Sequence, residues 1–283
     1  MHTSIAGGLA LSVDRAAELG CDSMQIFGRN PRSWGFLPVS PTDVSLFRKR
    51  RTIAGIWPVV IHTTYLINLS SPDDANYEKS VDLFKNELMT AEDLGADYLV
   101  THLGSPHELG PEFAVERIED ALAATAKSPY GKKTMILFEN TAGAGNSFGS
   151  DLAALGGLIE RALGLGLPAG ICFDTCHAFA AGYPMKTACD IGGLVKTIER
   201  DVGLENLKVI HLNDSKGEFG SNLDRHEHIG KGKIGLEAFK RLLTRPGIRD
   251  VPMILETPKK TPQDDPRNLR VVREILKERK KKK

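Results

Sequence analysis

A recurring pairing constrains this chain more than any other feature. Short apolar, β-branched runs each end in a polar residue able to bind a metal, and they do so at nearly even intervals. The runs are SMQIF (23–27), PVVIH (58–62), DYLVTHL (97–103), TMILFEN (134–140), AGICFDT (169–175), LKVIHLND (207–214) and PMILET (252–257). His62, His102, Glu139, Asp174, His211 and Glu256 stand at or near their C-terminal ends, 40, 37, 35, 37 and 45 residues apart. Each interval fits one strand plus one crossover helix. The end of SMQIF lies a further unit upstream, and His2 sits near where an earlier strand would end. Such stations predict an α/β fold of the (β/α)8 TIM-barrel type, whose active sites lie on the C-terminal face of the strands. An open doubly wound sheet would offer only a crevice at one switch point.

The segments between the runs carry helix signals. Ser40-Pro41 opens one that runs to about Gly55, and Ser71-Pro72 opens another, with Ser71 as N-cap, that stops at Gly95. Others cover 8–20 and about 111–127, 150–163, 188–202, 235–245 and 262–280. The runs are apolar throughout, as expected of parallel strands covered on both faces. No linker divides the chain, so residues 1–276 form one domain, followed by a basic and disordered tail over 277–283.

Apolar residues make up 41% and charged residues 26% of the 283 residues, which excludes a disordered or collagenous chain. No apolar run reaches the ~18–20 residues of a membrane span, and the N-terminus lacks the pattern of a signal peptide. Four scattered cysteines (Cys21, Cys172, Cys176, Cys189) fit a reducing, cytoplasmic setting. Net charge is +1, but the tail KERKKKK holds +5, leaving the body at −4. An acidic body is a poor match to nucleic acid unless bound cations reverse the sign locally.

Singly, each strand-end His or carboxylate reads better as a hydrogen-bonded core residue or a helix cap. Together they would place six ionisable groups in one cavity, which is costly without partners or metal. His177, in DTCH, and Asp224-Arg-His226, in the polar loop after HLND, extend the set to five His, two Asp and two Glu. Asp224 and His226 taken alone would pass for a solvated loop pair. Imidazole-rich mixed sites favour zinc or another borderline ion over magnesium or calcium. Nine ligands exceed what one tetrahedral ion uses, so two or three ions are implied, with Glu139 able to bridge. Multi-metal sites with open positions suit phosphate-ester hydrolysis.

FDTCHAFAAGY (173–183) and HLNDSKGEFGSNLDRHEHIGKGKIG (211–235) closely resemble the signature segments of the endonuclease IV family of apurinic/apyrimidinic endonucleases. IHTTYLINLSSP (61–72), THLGS (101–105), FENTAG (138–143) and ILETP (254–258) resemble its other strand ends, in the right order. The resemblance spans the chain apart from the tail. It implies a monomeric DNA-repair hydrolase with three zinc ions, acting with the nucleoid on double-stranded DNA. Its cut would fall 5′ to an abasic site, through a hydroxide bridging two ions, leaving 3′-hydroxyl and 5′-deoxyribose phosphate ends.

By this resemblance His62, His102 and Glu139 would hold the first ion, and Glu139, Asp174, His211 and Glu256 the second. His177, Asp224 and His226 would hold the third. Asn30-Pro-Arg-Ser-Trp34 looks like the family's DNA-penetrating loop, with Arg32 inserted, and Tyr65 and Leu66 match a second wedge. Wedges of this kind replace stacking lost when a nucleotide leaves the helix. Packing against barrel loops is the competing role for Trp34 and Tyr65. Arg225, Lys216 and Lys231 would either pair with phosphates or remain solvated charges.

The chain departs from the family in its first strand, which is nearly absent before His2. His2 itself, His107 and His228 match no ligand position. Asn140 and Asn213 are candidates to buttress the ligands. The competing function is a divalent-metal sugar isomerase or epimerase on a similar barrel, which would not need His62, His177 or the Asp224–His226 loop.

Overall fold

The computed structural model describes residues 1–281, with side chains through Lys277. The chain alternates as β1 (Met24–Phe27), α2 (Pro41–Ala54), β2 (Val59–His62), α3 (Asp74–Leu94), β3 (Tyr98–Thr101), α4 (Gly110–Ala126), β4 (Met135–Glu139), α5 (Leu152–Gly164) and β5 (Ala169–Asp174), after a leading α1 (Leu9–Glu18). It continues through α6 (Thr175–Ala180), α7 (Ala188–Asp201), β6 (Leu207–His211), the hairpin β7 (Asp214–Ser215) and β8 (His226–Glu227), α8 (Leu236–Leu242), β9 (Met253–Ile254) and α9 (Asp264–Lys281). Among the described residues the main sheet runs β1-β2-β3-β4-β5-β6-β9, every pairing parallel.

Residues 1–3 supply the eighth position. His2 N donates to Leu255 O at 3.0 Å, Thr3 N to Gln25 O at 2.8 Å, and Gln25 N to Met1 O at 3.0 Å. By pairing alone this position is slight, since His2 makes only an isolated bridge to Gln25. Yet these bonds reach both flanking strands, so the seam between β1 and β9 closes as a TIM barrel.

Two apolar layers follow from the strand period of two. Val60, Val100, Leu137, Cys172, Val209 and Ile254 point inward and form a compact cluster inside the barrel. The intervening residues, such as Ile61, Leu99, Phe138, Phe173 and Ile210, face the helices in the larger core. Two positions beyond each inward residue stands a polar one: His62, His102, Glu139, Asp174, His211 and Glu256. The ring of candidate ligands is therefore the top layer of the barrel interior.

Helix ends largely follow the expected chemistry. Ser40 caps α2 by accepting from Asp43 N, and Gly55 ends it at φ 64°. The N-cap of α3 is Asp73, which accepts from Asn76 N at 2.7 Å, rather than Ser71. Ser71 is drawn away because its hydroxyl bonds Asp73 O and its carbonyl accepts from Arg117. The run expected over 207–214 breaks at His211, and Asp214 instead opens the antiparallel hairpin with Glu227. Residues 277–281 of the basic tail, expected to be disordered, continue α9; 282 and 283 lie outside the described residues.

Candidate metal centre

The nine candidate ligands gather in one cavity region. Their donor atoms fall into overlapping groups: His62, His102 and Glu139; Glu139, Asp174, His211 and Glu256; and Asp174, His177 and His226, each within 4.8 Å of one another. Asp224 Oδ1 joins the last group, 3.2 Å from His177 Nε2 and 3.4 Å from His226 Nε2. Glu139 belongs to the first two groups through different oxygens. Its Oε2 lies 3.1 Å from His62 Nε2 and 3.4 Å from His102 Nε2, while Oε1 lies 2.8 Å from His211 Nδ1.

The histidine tautomers follow from their outer neighbours. Nδ1 of His62, His177 and His226 lies 2.8, 2.9 and 3.1 Å from the carbonyls of Thr63, Asn140 and Glu256. Nε2 of His211 lies 2.7 Å from Gln25 Oε1. A carbonyl oxygen only accepts, so each of these nitrogens carries the proton and the other turns a lone pair inward. What those lone pairs meet is carboxylate oxygen. Two electron-rich groups at this distance repel unless a cation or proton lies between them. His177 Nε2 and His226 Nε2 are buried without any hydrogen-bond partner. Buried polar atoms left this way call for an explanation, and a metal ion supplies it. Imidazole with carboxylate and no paired thiolate suits a borderline ion such as zinc.

Electrostatics carry the same message. Burial opposes charge on Glu139, but His102, His211 and His62 outweigh it and hold the carboxyl well below its usual range. Glu256 is held low against its burial by His211 and His2. Burial pulls His177 down, yet Asp174, Asp224 and Glu139 push it up to about 10. The cluster thus gathers positive charge, as protons wherever no metal cation is bound.

Behind the ligands stands a polar frame. Asn213 Nδ2 donates to Asp174 Oδ2 at 2.6 Å and Asn213 Oδ1 accepts from Glu256 N at 2.8 Å. Asn140 accepts from Asp174 N and donates to Asp174 O. His2 sits outside the ligand set, its Nδ1 3.2 Å from Glu256 Oε1. Gln25 was not anticipated. It donates to Glu256 Oε1 at 2.6 Å and holds His211. Its signal was a lone amide inside the apolar run Met24–Phe27. Lys259 and Phe27, also unanticipated, line the same cavity of about 330 Å³.

Of the expected DNA-facing residues, Tyr65 lines this cavity. Tyr65 is 63% exposed, its ring edge-on to Phe27 at 5.2 Å. Leu66 lines an adjoining cavity with Tyr65, His102 and Asp224. Arg32 and Arg225 are exposed, and so are Lys216 and Lys231. Trp34 is 40% exposed. His107 is exposed and His228 is engaged by Asn268, so neither joins the ligands. Gly104, at φ 87°, lets the loop after β3 pass against Asn68, where a Cβ would fall 1.9 Å from Oδ1. A cavity of about 840 Å³ opens at the other end of the barrel, around Arg51, Trp57 and Asp97, away from the ligand groups.

A histidine–carboxylate centre at the C-terminal mouth of a TIM barrel defines a class of metal-dependent barrel enzymes. The model of that class, described as a xylose isomerase-like TIM barrel, matches residues 13–279. Within it the chain belongs to the endonuclease IV family, and it is a hydrolase of the AP endonuclease type. It is 44% identical over 278 residues to the "Probable endonuclease 4" of Methanoculleus marisnigri, covering 97% of each chain. It is 42% identical to that of Chloroflexus aurantiacus, covering 97% of this chain and 96% of the other. The crystal structure of endonuclease IV from Thermus thermophilus superposes with TM-score 0.86 at 40% identity, covering 98% of both chains. A D-tagatose 3-epimerase-like protein, at 20% identity and TM-score 0.73, shares the fold alone.

Proposed function

We propose that this protein is a zinc-dependent repair endonuclease that cuts the phosphodiester 5′ to an abasic site in duplex DNA. The products are a 3′-hydroxyl and a 5′-deoxyribose phosphate. The inward lone pairs of His62, His177, His211 and His226, set against Glu139, Asp174, Asp224 and Glu256, carry this reading. Three zinc ions would be held by His62, His102 and Glu139, by Glu139, Asp174, His211 and Glu256, and by His177, Asp224 and His226. Bound there, they supply Lewis acidity toward phosphate oxygens and activate the attacking water.

The protein's own groups do the rest. Glu139 fixes the spacing of two sites because its oxygens face different imidazoles. Asn213, Asn140 and Gln25 hold the carboxylates and rings in place before substrate arrives. Tyr65 and Phe27 wall the cavity. Arg32, Tyr65 and Leu66 would wedge into the duplex, and Arg225 would meet its backbone. An abasic nucleotide has no base to unpair, so extruding it costs less, which favours damaged over intact DNA. The enzyme would work as a monomer with the cell's DNA, and no described helix is long and apolar enough to cross a membrane.

A sugar isomerase would leave the His177–Asp224–His226 group without a task. Incision of a duplex carrying one tetrahydrofuran abasic analogue separates the readings, because that analogue cannot undergo β-elimination. A single chelator-sensitive cut on its 5′ side, leaving an extendable 3′-hydroxyl, is the expected result. No cut by zinc-loaded protein would overturn the proposal in favour of the isomerase.

A further inference from the structure

Behind the loop over residues 28–36 lies a buried charge that the metal centre does not use. Glu87, on the inner side of α3, is fully buried. Arg29 Nε lies 3.2 Å from its Oε1, and that arginine side chain is itself 11% exposed. The same guanidinium sits 4.2 Å over the Phe36 ring and donates through Nη1 to Gly35 O at 3.3 Å. One arginine therefore ties the start of the loop to its end and both to the helix beneath. Gly28 lets the backbone approach, since a Cβ there would fall 3.2 Å from Glu87 Oε2.

Neither carboxylate oxygen of Glu87 nor Nε of Arg29 makes a well-aligned hydrogen bond, although the Thr64 amide also favours the charged carboxyl. The contact is therefore held by charge and shape, and losing one partner strands the other in the interior. Between the anchored ends, Asn30 Oδ1 accepts from Arg32 N at 3.0 Å, and Pro31 O accepts from Tyr65 N at 3.2 Å. The loop holding Arg32 and Trp34 and the segment holding Tyr65 thus share one support.

We propose that Arg29, clamped between Glu87, Gly35 and Phe36, is the positioning residue that fixes the Arg32–Trp34 loop for substrate recognition. This rests on the endonuclease reading. The clamp sets loop geometry without touching the ligands, so its loss raises KM and leaves kcat and metal content in place.

The test uses Arg29→Met, Arg29→Lys and Glu87→Gln in the zinc-loaded full chain, with the tetrahydrofuran duplex as substrate. Arg29→Met is expected to raise KM by about tenfold or more with kcat within about twofold. Arg29→Lys keeps the charge opposite Glu87 and is expected to recover part of that loss. Independently of activity, acrylamide quenching of Trp34 is read in a Trp57→Phe background, which leaves Trp34 as the sole tryptophan. Quenching is expected to increase by about twofold in Arg29→Met, at unchanged zinc content. Unchanged quenching and KM in Arg29→Met overturn the clamp, as does a parallel loss of zinc and kcat with KM unchanged. Should Arg29→Met fail to fold, Glu87→Gln and Arg29→Lys carry the same two readouts. Wild-type protein that does not cut overturns the parent reading instead, while the quenching result still judges the clamp.

Discussion

Gln25 holds His211 from behind: its amide oxygen lies 2.7 Å from Nε2, while Nδ1 of the same ring faces Glu139 at 2.8 Å. The amide thereby selects the tautomer that can ligate, and its nitrogen also secures Glu256 at 2.6 Å. One uncharged residue on β1 orients two candidate ligands, His211 on β6 and Glu256 just past β9.

Replacing Gln25 with Leu leaves the ring free to rotate and strands the Glu256 oxygen. Metal affinity is expected to fall about 10–100-fold, the usual effect of losing an outer partner of a metal ligand. Competition with a chromophoric chelator measures it. Wild-type affinity in Gln25→Leu would show that packing alone orients His211.

Glu139→Gln removes the carboxylate shared by two ligand groups but keeps its shape. The barrel is expected to remain folded, because Leu137 and Phe138 still fill their layers. Metal-dependent incision is expected to disappear, since one oxygen of an amide is a weak substitute for a bridging carboxylate. Circular dichroism and the tetrahydrofuran assay check the two halves. Full activity would remove Glu139 from the mechanism.

Tyr65→Ala addresses recognition rather than chemistry. The exposed ring packs edge-on against Phe27 and is not itself a metal donor. Discrimination between abasic and intact duplex is expected to weaken by about tenfold, the value of roughly one stacked ring, with metal content unchanged. Equal discrimination would return Tyr65 to a packing role.

Glu87 makes stability depend on pH. Burial lifts its carboxyl from the ordinary 4.5 to about 7, against the pull of Arg29, the Thr64 amide and His62. A folded value above the unfolded one contributes stability that is whole below 4.5 and is lost as pH rises through 7. The span corresponds to about 3 kcal/mol. Urea unfolding at pH 5 and pH 8 is expected to show this decline in the wild type and a flatter profile in Glu87→Gln. Parallel profiles would show that the carboxyl titrates normally.

Much of the site was legible because it sits on a period. Each ligand strand places an apolar residue inward two positions before its ligand, as with Val60 and His62 or Leu137 and Glu139, and the βα repeat brings those ends to one face. Residues that act singly were harder to see. Gln25 is a lone amide in an apolar run whose partners lie on distant strands, and Lys259 lies in a loop whose path depends on α9. The α3 cap moved from Ser71 to Asp73 because Arg117, from another helix, claims the Ser71 carbonyl. That competition is tertiary and leaves no local trace. Likewise, the three residues that close the seam are too few to announce a strand; their partners on β1 and after β9 define them.

The candidate ligands are dealt out along about two-thirds of the chain, from His62 to Glu256. On a translating ribosome, His62, His102 and Glu139 emerge on the order of ten seconds before Glu256 does. During that interval the nascent chain presents donors with no barrel to enclose them, open to whichever ion arrives first. These groups can be enclosed together only once translation and barrel closure have both finished.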